Sequence, residues 1–147
     1  MHLVETRNLT HIYRGNLPAL DGVNFIAERK SRIAVIGPNG AGKSTLFKHF
    51  NGILHPTSGE VLVRGEPITK ENVREVRKLV GIVFQNPDDQ IFSPTVEQDV
   101  AFGPTNLGLD EETVAHRVGE ALALLGIEDL RERVPHHLSG GEKKRVA

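Results

Sequence analysis

The chain has 147 residues, with 18 lysines and arginines against 19 aspartates and glutamates and a formal net charge of −1. A chain of about 150 residues can bury roughly two-thirds of its unfolded surface, so one domain with its own core is possible. The balanced charge argues against a nucleic-acid or membrane-surface protein that works by bulk electrostatics, and the absence of cysteine excludes disulfides, thiolate metal sites and a cysteine nucleophile.

Signals of a membrane or secreted protein are absent from the sequence. No apolar stretch approaches the about 20 residues that span a bilayer, and the amino terminus lacks the charged-then-apolar pattern of a signal peptide. We therefore expect a soluble, cytoplasmic protein. The adjacent His136 and His137 cannot share one helix face, so we interpret them as loop residues rather than metal ligands.

The first third of the chain is predicted to form strands. Leu3–Thr6 opens it, and Val23–Ala27 alternates between apolar and polar residues. The apolar run Arg32–Ile36 is typical of a buried strand. Three turn signals separate the earlier segments: Gly15-Asn16, Pro18 and Asp21-Gly22.

The segment Gly37–Ser44, with the sequence Gly-Pro-Asn-Gly-Ala-Gly-Lys-Ser, matches the phosphate-binding pattern G-x-x-x-x-G-K-[ST]. Its glycines let the backbone fold around a polyphosphate with the N–H groups pointing inward, and a helix beginning near Lys43 adds the positive end of its dipole. Lys43 would reach the β- and γ-phosphates, and the Ser44 hydroxyl would hold Mg²⁺. An ordinary glycine-rich turn between a strand and a helix is the alternative.

The flanks of this segment are those that a phosphate loop requires. Arg32–Ile36 precedes it as a strand, and Thr45–Phe50 continues with apolar residues at helical spacing until Asn51-Gly52. Four elements are predicted next: a turn at Pro56–Gly59, a strand at Glu60–Gly65, a short helix at Val73–Leu79 and a strand at Val80–Phe84.

Beyond Gln85 the pattern becomes helical. Thr95 fits a capping box, with Gln98 reaching back to it, and Gly103-Pro104 is expected to end that helix. Asp110 can cap the next helix, which Gly126 ends. Its apolar face is predicted to hold Val114, Val118, Leu122 and Leu125.

A second glycine-containing motif lies near the end of the sequence, at Leu138–Glu142, and leads into Lys143–Ala147. Ser139 can cap a helix, Glu142 completes a capping box, and the two glycines between them let a phosphate approach the backbone. The motif therefore predicts a second anion site. An ordinary capped helix is the alternative.

Together with the phosphate loop, this motif closely resembles the signature loop of ABC-type ATPases, and the resemblance runs the whole length of the chain. It implies an α/β fold: a P-loop NTPase core of the ABC ATPase type, an antiparallel β subdomain and a helical subdomain. The implied segments are 1–85 for the β subdomain and phosphate-loop core, 86–138 for the glutamine loop and helical subdomain, and 139–147 for the start of the signature helix.

The resemblance also implies residue roles in binding ATP and Mg²⁺. Lys43 and Gln85 are the implied catalytic residues, with Ser44 and Gln85 at Mg²⁺, although Gln90 is an alternative to Gln85. Tyr13 matches the aromatic residue that stacks on adenine, and a core or surface tyrosine is the alternative. The implied nucleotide contacts are Tyr13, Gly37, Pro38, Asn39, Gly40, Ala41, Gly42, Lys43, Ser44, Thr45, Ser139, Gly140, Gly141 and Glu142.

Within the family, Phe84–Phe92, Pro94–Val96 and Asp99–Pro104 look like the importers of the cobalt/nickel and energy-coupling-factor group. The resemblance implies a partner ATPase subunit, identical or different, bound head to tail, and integral membrane subunits at the cytoplasmic face. The transported solute would be a metal ion such as cobalt or nickel, or a vitamin. No nucleic-acid partner is expected.

The Asp-Glu strand and the switch histidine that follow the signature helix in this family do not occur in the sequence. We therefore expect a truncated copy, a cloned piece or an incomplete sequence, lacking the C-terminal part of the core. Such a chain is expected to bind nucleotide better than it hydrolyses it. The leading hypothesis is the ATP-binding subunit of an importer. The alternatives are a nucleotide-binding or dimerising module without turnover and a non-transport ABC ATPase.

Overall fold

The first strand organises the sheet of the N-terminal half. β1, His2–Ile12, buries Val4 and Thr6 and then, after a shift of one residue, Leu9 and His11. The shift is a β-bulge at Arg7-Asn8, where Asn8 has a φ of 47°. β1 pairs antiparallel with β2, Pro18–Glu28, on one edge and with β3, Ser58–Val63, on the other.

The computed structural model describes residues 2–15 and 17–147, which divide into two compact units, Met1–Ile82 and Val83–Ala147. The sheet of the first unit has the strand order β2-β1-β3-β4, with β4 at Glu66–Pro67. Arg64 and Gly65, which join β3 to β4, both have positive φ, as a two-residue I′ hairpin turn requires. The antiparallel sheet predicted from the sequence is confirmed.

Two helices cover this sheet. α1, Lys43–Phe50, packs Leu46 against Leu9, Leu20 and Val61. α2, Val73–Leu79, packs Val76 against Val4 and Val63. Both helices begin and end within a residue of their predicted limits, because the sequence carries clear stop signals there, Asn51-Gly52 after α1 among them.

The second unit is helical. It contains α3, Val96–Asn106, α4, Glu111–Leu125, and α5, Gly140–Val146, with one-turn 3-10 segments at Pro87–Asp89, Glu128–Leu130 and Pro135–His137. Its core is formed by Ile91, Val96, Val118, Leu122, Ile127, Leu130, Leu138 and Val146. The predicted helical subdomain is therefore confirmed.

The helix caps follow the sequence signals, with three corrections. The first is that Thr95 caps α3 without the predicted capping box, since the Gln98 side chain makes no bond back to Thr95 among the described residues. Thr95 accepts a hydrogen bond from the Gln98 N–H at 3.3 Å, and Asp110 accepts one from the Thr113 N–H at 2.9 Å. However, α3 continues through Pro104 to Asn106, because proline removes a single N–H and the carbonyls of residues 103–105 still bond downstream N–H groups. Leu125 is exposed rather than buried with Val118 and Leu122.

Three strand and turn predictions differ from the structure. Asp21-Gly22 lies inside β2 rather than between two strands, because positive φ at Gly22 is absorbed where the β1–β2 register shifts. Arg32–Ile36 and Val80–Phe84 are not strands. An apolar run becomes a strand only when neighbours satisfy its N–H and C=O groups, and no described strand pairs with either segment. Of the predicted turn at Gly15-Asn16, Asn16 lies outside the described residues.

Gly59 lies where β3 passes close to the β1 bulge, and its replacement gives a test of the bulge. It has a φ of +78°, and a Cβ added there would lie 2.2 Å from the Asn8 carbonyl oxygen. Gly65 has a similar φ of +86° with nothing within 4 Å of such a Cβ. We expect Gly65→Ala to cost about 1 kcal/mol through its φ alone, and Gly59→Ala to cost about 2 kcal/mol more, because β1 must shift.

The free energy of unfolding, measured by urea denaturation of both variants and the parent chain, checks this expectation. Equal losses in the two variants would contradict the close approach of β1 and β3 at this point.

Candidate functional site

The loop that follows residue 36 is positioned by glycines. Gly40 and Gly42 each have a φ of +84°, and Gly42 is the residue that caps α1. A Cβ at Gly42 would lie 2.4 Å from the Ala19 carbonyl oxygen and 2.9 Å from Leu20 Cδ2. Only glycine therefore lets the end of the loop pack against β2, and this contact places the start of α1 on the sheet.

Lys43 folds back over the same loop. Its Nζ donates to the carbonyl oxygens of Gly37 and Pro38, each at 2.7 Å, and the Ala41 N–H also bonds the Pro38 carbonyl at 3.3 Å. These bonds close the loop. The positive charge of Lys43 lies beside the first-turn N–H groups of α1. Such N–H groups have no partner within the helix and favour an anion.

The two hydroxyls after Lys43 have different surroundings. Ser44 is exposed, whereas Thr45 is buried. The Thr45 hydroxyl lies 3.2 Å from the Tyr13 hydroxyl, and its carbonyl lies 2.7 Å from Nδ1 of His49 one turn later. An exposed hydroxyl suits a hard cation, which keeps most of its ligands as water or phosphate oxygen.

Tyr13 lies just after β1 with 47% of its surface exposed. Its ring packs edge-on against His11, with a centroid distance of 4.6 Å, and His11 packs in the same way against His49 at 4.7 Å. The sequence-predicted residues Tyr13 and Thr45 are thus brought together. The two buried histidines behind them were not predicted as site residues.

In the second unit, the two glutamines weighed as alternatives have different environments. Gln85 is exposed. The Gln90 side chain instead joins two backbone groups: its Oε1 accepts from the Phe84 N–H at 3.1 Å, and its Nε2 donates to the Ala147 carbonyl at 2.6 Å. Gln90 is therefore a structural bridge, which leaves Gln85 as the glutamine whose amide is accessible to a ligand.

The turn after Gln85 is attached to α5 by a second bond. Asn86 caps the 3-10 segment Pro87–Asp89 by accepting from the Asp88 N–H at 3.2 Å. The Asp88 carboxylate in turn accepts from Lys143 Nζ at 2.7 Å. Gln90 and this ion pair fix the turn to the helix that starts after Ser139.

The motif at Ser139 forms the predicted capping box. The Glu142 N–H donates to the Ser139 Oγ at 3.3 Å, and the Ser139 N–H donates to the Glu142 carboxylate at 2.7 Å. These bonds to Ser139, with the charges of Arg145 and Arg133, lower the pKa of Glu142. Gly140 and Gly141 are exposed in the first turn, so their backbone is accessible to an anion.

None of the helices described is long and apolar enough to cross a membrane. Across residues 2–15 and 17–147, no group of three or more histidine, aspartate and glutamate side chains is arranged to hold a metal ion.

The sequence of this chain is similar to those of known proteins. The family model described as ABC transporter matches residues 20–147. The chain belongs to the ABC transporter family. The Energy-coupling factor transporter ATP-binding protein EcfA of Methanoculleus marisnigri is 90% identical over 147 residues, which are 100% of this chain and 53% of that protein. The protein of the same name from Methanocaldococcus jannaschii is 58% identical over 149 residues, with 100% and 53% covered.

Solved structures of ABC proteins have the same fold. The cbiO1 protein of Clostridium perfringens, part of the ABC transporter complex cbiONQ, superposes with a TM-score of 0.84 at 44% identity, over 99% of this chain and 59% of that one. An ATP-binding cassette solved as a dimer in a post-hydrolysis state with ADP and Pi gives a TM-score of 0.83 at 27% identity, over 97% and 66%. The chain spans about half the length of the curated relatives it matches.

His49 gives this ABC chain a pH-dependent stability. Burial lowers the pKa of its imidazole below the usual 6.5, and the charges of His11 and His55 act in the same direction, against the bonds to backbone carbonyls. The unfolded chain therefore takes up a proton at higher pH than the folded chain. The stabilisation is complete above about pH 6.5 and is lost as the pH falls below it, by at most about 1.4 kcal/mol per pH unit for one proton.

Urea denaturation at pH 7.5, 6.5 and 5.5 measures this effect, and His49→Gln should make the profile flatter than that of the parent chain. The other histidines are common to both proteins, so the difference reports the loss of His49 and of its contact with His11. Parallel profiles would contradict the assignment.

The Gln90 bridge predicts unequal effects for the two glutamines of this region. Gln90→Leu leaves the Phe84 N–H and the Ala147 carbonyl without their partner, which should cost about 1–3 kcal/mol. Gln85→Leu, at an exposed position, should change the free energy of unfolding by no more than about 0.5 kcal/mol. Urea denaturation of the two variants side by side is the measurement, and a larger loss in Gln85→Leu would show the bridge to be misassigned.

Proposed function

We propose that the chain is part of the ATP-binding subunit of an importer of the energy-coupling factor group, which couples ATP binding and hydrolysis to transport. The observation that carries the proposal is the loop Gly37–Ser44, closed by Lys43 and attached to the start of α1 through Gly42. Its arrangement of backbone N–H groups, one ammonium and one exposed hydroxyl fits a nucleoside triphosphate with Mg²⁺.

The proposed binding roles follow from this arrangement. Backbone N–H groups of Gly37–Thr45 hold the phosphates, and the Lys43 ammonium, already at the loop, lies against the β- and γ-phosphates. Ser44 and Gln85 hold Mg²⁺, both being exposed residues with a single oxygen to offer. When bound, Mg²⁺ neutralises charge that develops on the phosphate oxygens. Tyr13 stacks on the adenine ring.

The proposed catalytic roles belong to Lys43 and Gln85. Lys43 stabilises the phosphate being transferred, and the Gln85 amide orients the attacking water. The structural duty of Gln90 favours Gln85 for this role. The attachment of the Gln85 turn to α5 by Asp88 and Lys143 gives this amide a defined support.

A second chain completes the proposed site. Ser139, Gly140, Gly141 and Glu142 of one subunit bind the nucleotide held by the phosphate loop of its partner, in a head-to-tail dimer. Glu142 acts by fixing Ser139, since its carboxylate is occupied by the capping box. In this proposal residues 1–85 are the β subdomain and phosphate-loop core, 86–138 the glutamine loop and helical subdomain, and 139–147 the start of the signature helix.

The transport role is supported by the relatives. Proteins named as energy-coupling factor ATP-binding subunits are up to 90% identical to this chain. We propose that integral membrane subunits bind the protein at the cytoplasmic face of the membrane and select the transported solute, a cobalt or nickel ion or a vitamin. The similar structure cbiO1 is part of an ABC transporter complex, which supports membrane subunits as partners.

ATP hydrolysis by the full-length protein that carries this chain tests the proposal. Lys43→Ala should lower kcat by about 10²–10³-fold, because a charge at the transferring phosphate is lost. Lys48→Ala, on the same helix but outside the loop, is the matched control and should leave kcat unchanged. Ser139→Arg should also abolish turnover, since a bulky cation would fill the second phosphate contact.

Turnover that is insensitive to both Lys43→Ala and Ser139→Arg would overturn the proposal. ATP binding without phosphate release, in the full-length protein with its partners, would favour a nucleotide-binding module instead.

A further inference from the structure

In the first unit, a series of contacts through His49 and His11 links Thr45, on the phosphate side of the proposed site, to Tyr13, on its base side. We propose that His11 and His49 are positioning residues that fix the Tyr13 ring relative to the phosphate loop, and thereby contribute to recognition of the nucleotide base. This inference rests on the proposed function, and concerns residues outside every motif in the sequence.

The series of contacts begins with His49 on α1. His49 is 1% exposed, and its Nδ1 lies 2.7 Å from the Thr45 carbonyl. Since a carbonyl only accepts, this nitrogen carries the hydrogen, and Nε2 of the neutral ring is an acceptor. That Nε2 lies 3.2 Å from Nδ1 of His11.

The second ring is then fixed as well. His11 Nδ1 must carry a hydrogen to serve the acceptor on His49, and the His55 carbonyl lies 3.1 Å from the same atom. The segment that carries this carbonyl is attached to β1 by two bonds: the Thr57 N–H to the Thr10 carbonyl at 2.9 Å, and the Ile12 N–H to the Thr57 hydroxyl at 3.0 Å. The single hydrogen on His11 Nδ1 is therefore shared between two acceptors, His49 Nε2 and the His55 carbonyl.

Tyr13 is the last residue in this series of contacts. Its ring meets the His11 ring edge-on, at an interplanar angle of 79°, and its hydroxyl meets that of Thr45 at 3.2 Å. Thr45 is thus used twice, by His49 through its carbonyl and by Tyr13 through its hydroxyl. The ring that would carry the base and the first turn that would carry the phosphates are locked to one residue.

A purely apolar core would not need this arrangement. Two buried imidazoles must keep their nitrogens paired, and leucine would fill the same space without that demand. What the histidines add is direction, because hydrogen bonds orient the His11 ring, whose edge packs against the Tyr13 ring. A ring that is already ordered loses less freedom on stacking than a mobile one.

The test compares MgATP with inorganic triphosphate, which has the phosphates but no base, by titration calorimetry on the full-length protein that carries this chain. His49→Leu should weaken ATP about 3- to 10-fold, because the ring must be ordered on binding, and should leave triphosphate affinity unchanged. His49→Gln places an amide oxygen near His11 and should restore the affinity for ATP. His55→Ala is the matched control, since only the backbone of His55 takes part.

Two further measurements separate positioning from folding. His11→Asn keeps a donor beside the His55 carbonyl but removes the ring edge from Tyr13, so it should also weaken ATP and not triphosphate. Tyr13 is the only tyrosine in this sequence, which has no tryptophan, so the emission that Tyr13→Phe removes from the protein reports this ring alone. Its quenching by ATP should be smaller in His49→Leu than in the parent chain.

The inference is overturned if His49→Leu and His11→Asn bind ATP as the parent chain does, or if they lose ATP and triphosphate equally. If the parent chain binds neither ligand, or if Lys43→Ala leaves its binding unchanged, the proposed function falls, and this inference with it. The two failures are thus distinguished by the parent chain alone.

Discussion

The pairing of β1 along both of its edges is the constraint on which the N-terminal unit depends. Its hydrogen bonds to β2 and β3 fix the register in which Leu9 enters the core and His11 faces α1. The position of α1 on the sheet is then defined by two contacts. Gly42 brings the loop against the Ala19 carbonyl, and Leu46 packs in the core with Leu9. The loop Gly37–Ser44 is thus positioned by a sheet to which it contributes no strand.

In the second unit, side-chain bonds to the backbone have the same positioning effect. The turn that follows Gln85 has too few residues to form a core of its own, and Asp88 and Gln90 attach it to α5. The capping box at Ser139 defines where α5 begins. Gln85 and the Ser139 loop therefore lie at two ends of one bonded segment, and a displacement of α5 would be felt by both.

Local signals made much of this structure readable from the sequence. Asp110 and Gly126 delimit α4, and Ser139 with Glu142 form the expected box, because caps and turns depend on residues three or four positions apart. The spacing of Val118 and Leu122 likewise identified the buried face of that helix. Similarity to the ABC transporter family extends the same motifs to a site whose residue roles remain proposals.

What the sequence did not reveal depends on distant partners. Gln90 reaches a carbonyl 57 residues away, and His49 meets a histidine 38 positions earlier, so no local pattern indicates either bond. Arg32–Ile36 has the composition of a strand, yet a strand is defined by its neighbours and not by its own residues. Asp21-Gly22 was wrong as a turn for a related reason: the partner strand absorbs the positive φ as a bulge.

The bulge at Arg7-Asn8 has a consequence for how the chain can change in length. Side chains alternate along a strand, so one residue added or lost between the bulge and Ile12 would turn His11 and Tyr13 to the opposite face of the sheet. A substitution leaves this alternation unchanged, whereas an insertion or deletion reverses it. The number of residues between Asn8 and Tyr13 is therefore fixed, because it decides on which face of the sheet the Tyr13 ring lies.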